Sequence, residues 1–148
     1  MTRFLPDTSC LVAAVCSWHE HHAATCADLA RRWKRGEELA LAAPAVIEAF
    51  AVLTRLPPPH RLKARDALAV LEGSFGTAEV VAMTGGETWP FLRALPDAGI
   101  AGGSTYDALL AACARKARAD VILTWNRRHF ERVAEGVEIA SPRHDLRR

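Results

Sequence analysis

Three carboxylates stand apart from the other acids of this chain: Asp7, Glu48 and Asp107 each sit among apolar or small residues. Glu48 is the one ionisable group in residues 43–52. Pro44 suits the first turn of a helix, and Val46, Ile47, Phe50 and Leu53 recur at helical spacing, so Glu48 is expected on a helix, over Ala45, Ala51 and Val52. An uncompensated carboxylate in such a setting is costly. No Lys or Arg lies within one turn, so Glu48 needs either a metal shared with other acids or an arginine from elsewhere in the fold; on this residue alone both readings stand. Three acids gathered in a cleft raise one another's pKa values unless a divalent cation neutralises them. Oxygen ligands with retained water suit Mg²⁺ or Mn²⁺, which can lower the pKa of a water and polarise a phosphoryl oxygen. Phosphodiester hydrolysis is the chemistry these residues point to.

The elements that must position the acids follow from the pattern of apolar residues. Residues 3–6 read as a short strand, and Asp7-Thr8-Ser9 supplies caps for a helix through Leu11, Val12 and Val15. A helix is expected over 19–35, a buried strand over 39–42, and then the Glu48 helix, stopped by Pro57-Pro58-Pro59. Further helices are expected over 61–72, over 87–95 with Pro90 in its first turn, over 106–119 with Asp107 near its start, and over 127–133. Strands are expected over 78–82, 121–124 and 137–140, and the basic tail runs from Arg143. Strands alternating with helices predict a doubly wound α/β domain with a mainly parallel sheet covered on both faces. Ligands of such folds bind beyond the carboxyl ends of the strands, where Asp7 and Asn126 fall.

Composition narrows the classes. At 148 residues the chain suits one domain, residues 1–142, with 143–148 as a C-terminal tail. The four cysteines show no C-x-x-C spacing and read as free thiols of a reducing compartment. Cys16, His19, His22 and Cys26, taken as lying along one straight helix, cannot surround zinc. The longest apolar run is broken by Pro44 and Glu48, so no membrane span is expected, and the amino terminus shows no secretory signal; the expected location is the cytoplasm. A net charge of +2 permits a polyanionic partner without arguing for one.

In order along the chain, Asp7-Thr8-Ser9 after a strand, Glu48 ahead of Val52-Leu53-Thr54-Arg55-Leu56, Tyr106-Asp107-Ala108, and Thr124-Trp125-Asn126 with Phe130 resemble the PIN-domain ribonucleases, and more narrowly the VapC-type toxins of bacterial toxin-antitoxin modules. The resemblance runs from residue 4 to about 142. It implies a PIN-like three-layer α/β/α fold and a metal-dependent endoribonuclease that cuts RNA with a metal-activated water. The acidic cluster would be Asp7, Glu48 and Asp107, holding Mg²⁺ or Mn²⁺, with Ser9, Thr8 and Thr124 beside it. It further implies a cognate small antitoxin protein and a homodimer. Asn126 departs from relatives that carry Asp there and is expected to contribute to catalysis secondarily.

Thr8 and Ser9 are also ordinary N-caps and Thr124 an ordinary strand residue. Trp125 could stack on a base or fill the core. Arg127 and Arg128 are candidates for RNA phosphate contacts. An antitoxin groove could form around Phe50, Leu53 and residues 62–71, unless those faces pack only against the sheet. Two rival readings are a non-catalytic PIN-like interaction module and an aspartyl-phosphate-forming phosphotransferase or receiver-like domain; the latter fits poorly, because a haloacid-dehalogenase-like site would want an acid where Ser9 stands and a receiver would want a Lys at a late strand end.

Overall fold

The alternation of apolar runs and amphipathic segments resolves into five parallel strands and seven helices among residues 1–143, which the computed structural model of the chain describes. The strands are β1 (Arg3–Pro6), β2 (Glu38–Ala42), β3 (Glu79–Val81), β4 (Val121–Leu123) and β5 (Glu138–Ala140), in the sheet order β3-β2-β1-β4-β5. Phe4 faces Leu39 on one side and Val121 on the other, so β1 is central. The order reverses between β1 and β4, which makes the gap beyond their carboxyl ends the switch point where doubly wound sheets bind ligands.

Side chains of these strands alternate between two cores, as the pleat requires. Leu5 and Ile122 enter the larger one with Leu11, Leu53, Leu71 and Phe75, whereas Phe4, Val121 and Leu123 enter a smaller one with Cys10. The helices are α1 (Thr8–Val15), α2 (His22–Lys34), α3 (Ala43–Arg55), α4 (Ala64–Phe75), α5 (Gly85–Ala94), α6 (Ser104–Lys116) and α7 (Arg127–Phe130). α3 packs against α1 and α4, while α6 packs on β2, β4 and α7.

Several boundaries differ from expectation, for local reasons. α2 begins at His22, because His19 and His22 each close a turn on the carbonyl three residues back. Cys16 and His19 therefore lie off the helix that carries His22 and Cys26, and among the described residues no three His, Cys, Asp or Glu side chains are grouped to hold a metal. α4 starts at Ala64 because the Leu62 amide bonds back to the Leu53 carbonyl. α5 starts at Gly85, set by a reciprocal capping box between Thr84 and Glu87, and so Pro90 stands inside the helix instead of in its first turn. α6 ends at Lys116, with Arg118 in the left-handed region at φ 55° just beyond, and α7 is a single short turn. Leu53 and Leu71 are buried in the larger core, so the faces that carry them are not open for an antitoxin segment. Of the basic tail, residues 144–148 lie outside the described residues.

Candidate active site

The strand-to-helix turn after β1 fixes the first acid. The Asp7 amide donates to the Leu123 carbonyl at 2.9 Å, which ties the end of β1 to the end of β4. Asp7 is then the N-cap of α1: its Oδ1 accepts from the Cys10 amide at 3.0 Å and from the Ser9 hydroxyl at 2.6 Å. Its Oδ2 accepts a short bond from the Thr124 hydroxyl. Both hydroxyls are used twice. Ser9 Oγ accepts from the Trp125 amide at 3.1 Å and Thr124 Oγ1 from the Asn126 amide at 2.9 Å. Two side chains thus clasp the β4–α7 turn to a carboxylate that is only 5% exposed. Burial pushes the Asp7 carboxyl up from its ordinary pKa, and the bonds from Ser9, Thr124 and Cys10 pull the other way.

Glu48 is held more loosely. It lies in the second turn of α3 and is exposed, which corrects the expectation of an apolar burial; its partner is a hydroxyl rather than an arginine, Thr8 Oγ1 donating to Oε2 at 2.9 Å. Its neighbours Ala51 and Val52 are themselves only partly buried. Thr8 and Asp7 are adjacent at the start of α1, so this bond brings Glu48 to the same helix end. Asp107 enters from the first turn of α6. Burial raises its pKa, and the charges of Asp7 and Glu48 raise it further, while His129 opposes them. Two acids that lie 100 and 59 residues from Asp107 in the chain therefore reach it electrostatically.

All three line one cavity of about 1330 Å³ at the switch point, together with Thr8, Ser9 and Asn126. Thr124 is fully buried behind it. Arg128 lines the cavity and Arg127 does not. Trp125 is turned away: His21 stacks on its ring at 3.8 Å between centroids and its Nε1 donates to Thr25, so a structural role takes the place of base stacking there. Sequence reasoning missed His129 and Arg132, which also line the cavity. His129 lies one helical turn beyond Asn126, and that spacing was available as a signal. No lysine is among the residues lining the cavity, which leaves a receiver-like reading without its cation.

The cavity brings together groups of one chemical kind. Its donors are carboxylate, hydroxyl and amide oxygens, a hard set that fits Mg²⁺ or Mn²⁺. The three acids line the same cavity, but among the described residues no three His, Cys, Asp or Glu side chains are grouped closely enough to hold a metal, so the fit rests on the chemistry of the donors.

The chain matches the PIN domain family over residues 4–136. Ribonuclease VapC40 of Mycobacterium tuberculosis is 37% identical over 117 residues, which cover 79% of this chain and 82% of that protein. Ribonuclease VapC27 of the same organism is 36% identical over 115 residues, 78% of this chain and 79% of that protein. Among solved structures, VapBC2 from Rickettsia felis, bound to a DNA fragment from its promoter, superposes with a TM-score of 0.69 at 17% identity, covering 95% of this chain and 98% of the other; that likeness is one of fold.

Proposed function

Since the chain belongs to the PIN domain family, we propose that it is an endoribonuclease, the toxin of a toxin-antitoxin pair, and that its active site is the cavity built on Asp7, Glu48 and Asp107. The observation that carries this reading is the convergence of three sequence-distant carboxylates at the switch point, close enough for two of them to raise the pKa of the third.

Asp7, Glu48 and Asp107 would hold Mg²⁺ or Mn²⁺. Bound there, the ion supplies charge neutralisation and a more acidic water at neutral pH. The chain's own groups do the rest. The Ser9 and Thr124 hydroxyls keep Asp7 in one orientation, and Thr8 steers Glu48 toward it. Arg128 and His129 line the same cavity and would offer positive or hydrogen-bonding groups to a phosphodiester. Asn126 offers an amide to orient water, and no fourth charge.

The relatives' names support a small antitoxin partner, and the exposed Ile47 and Tyr106, 70% and 74% accessible beside Glu48 and Asp107, support a homodimer contact at the cavity mouth. No helix among the described residues is long and apolar enough to cross a membrane, in keeping with action on RNA in the cytoplasm. Induced expression without a partner, followed by sequencing of RNA 5′ ends, tests the reading directly. New 5′ ends that vanish in Asp7→Asn are expected; identical end profiles for wild type and Asp7→Asn would overturn it.

A further inference from the structure

A second feature of this edge is a run of neighbouring rings outside the cavity, two stacked pairs joined by two tilted contacts. It starts at Trp125, whose amide binds Ser9 and whose neighbours Thr124 and Asn126 belong to the site. His21 lies flat on Trp125 at 3.8 Å and 8°; His19 follows at 5.6 Å from His21, and Trp18 at 5.8 Å from His19. Trp18 in turn stacks on His60 at 4.1 Å and 22°. Five rings thus join the β4–α7 turn to the α1–α2 loop and on to the α3–α4 loop.

The inner and outer ends of this run differ. Trp125 is partly buried and pinned through Nε1 to Thr25, so its end is structural. Trp18 is 47% exposed and His60 is exposed, and neither side chain is needed to fill the cores. A tryptophan left half in water costs burial energy that folding does not recover, and an exposed aromatic pair suits flat, sequence-tolerant partners. The surroundings are mainly cationic: Arg61 and Lys63 follow His60, and Arg127 follows Trp125 and Asn126, all exposed, against Glu20 as the acid within the loop. Bases for the rings and phosphates for the flanking cations are the two halves of a single-stranded polynucleotide.

We infer that the Trp18–His60 pair is a base-stacking platform for the part of a single-stranded RNA that lies outside the cavity, with Arg61 and Lys63 contacting its backbone there and Arg127 contacting it nearer the site. The inference rests on the nuclease reading above and adds to it a surface that decides which RNA is held. Single-stranded segments stack on it; duplex RNA, with its bases already paired and stacked, does not.

The test is binding of a fluorescent single-stranded RNA oligonucleotide to the full-length protein in EDTA, where cleavage does not interfere, read by anisotropy. Trp18→Ala should raise the Kd about ten-fold, while Trp18→Phe, which keeps a ring, should restore most of the affinity. The same RNA in duplex form should show no difference between wild type and Trp18→Ala. Circular dichroism confirms that both variants fold. An unchanged Kd for single-stranded RNA in folded Trp18→Ala overturns the inference, as does an equal loss in Trp18→Phe. Unchanged RNA binding together with lost capture of a co-expressed small inhibitor overturns it too, by assigning the platform to a protein. Cleavage by wild type in Mn²⁺ is scored separately: its absence sinks the nuclease reading, while the EDTA measurement still decides whether the platform binds RNA.

Discussion

The two walls of the cavity are built on different principles. On the β1/β4 side, Asp7 is nearly inaccessible, and four bonds from Ser9, Cys10, Thr124 and Trp125 lock the carboxylate and the adjacent turn into one unit. On the α3/α6 side, Glu48 is exposed with one hydroxyl partner, and Asp107 is positioned by the start of its helix. The rigid wall fixes a reference point; the looser wall can adjust to whatever enters. In the proposed metal site an ion would have to draw three charges together, which favours one wall able to give.

The largest expected effect tests that division. Asp7→Asn should lower cleavage by about 10³-fold or more, since it removes charge where the geometry is fixed, and Glu48→Gln by about 10²-fold, because an exposed carboxylate with a single partner is partly replaceable by water. Rates measured against Mn²⁺ concentration decide it; equal losses would mean that the walls do not differ in function.

Next come the hydroxyls. Thr124→Val should cost roughly 10–100-fold in activity and about 1–3 kcal/mol in stability by urea denaturation, as it strands Asp7 Oδ2 in a buried place and takes away the acceptor of the Asn126 amide. Thr8→Val, on the exposed wall, should cost only a few-fold and less than about 1 kcal/mol. A stability loss at Thr8 that matched Thr124 would erase the contrast.

A smaller effect, about ten-fold, is expected for Asn126→Ala, and Asn126→Asp should lower the Mn²⁺ concentration needed for half-maximal rate by adding a fourth charge. If Asn126→Ala proves as inactive as Asp7→Asn while folded, the amide is a direct participant in the chemistry.

The smallest effect is on stability against pH. Asp7 and Asp107 both have raised pKa values, so the folded chain holds their protons more tightly than the unfolded chain does. Their contribution is greatest below about pH 4, the ordinary carboxylate range, and is lost as pH rises through the raised values. In EDTA, Asp7→Asn should therefore melt at or slightly above wild type at pH 7, and the two should converge toward pH 4. Divergence toward low pH instead would show that the bonds to Asp7 outweigh its burial.

Much of this architecture was legible in the residues. The strand-helix alternation, the capping sequence Asp7-Thr8-Ser9 and the lone acid at the head of α6 are local signals, and they lead to the parallel sheet and to two of the three acids in their settings. The exposure of Glu48 was not legible, because apolar neighbours on a helix describe which face packs and leave open whether the acid shares that face. Nor was the clasp. Ser9 meets Trp125 and Asp7 meets Thr124 across 116 and 117 positions, and only the adjacency of β1 and β4 brings them together. The histidines before α2 carried a helical period that two successive turns imitate.

That adjacency also sets a timetable. A chain leaves the ribosome amino end first, and Asp7 emerges with Ser9 and Cys10 but 117 residues ahead of Thr124. β4 must be made and docked beside β1 before the second oxygen of Asp7 has its partner. The clasp around Asp7, on which the proposed cleavage depends, therefore cannot close until the β4 segment has been synthesised.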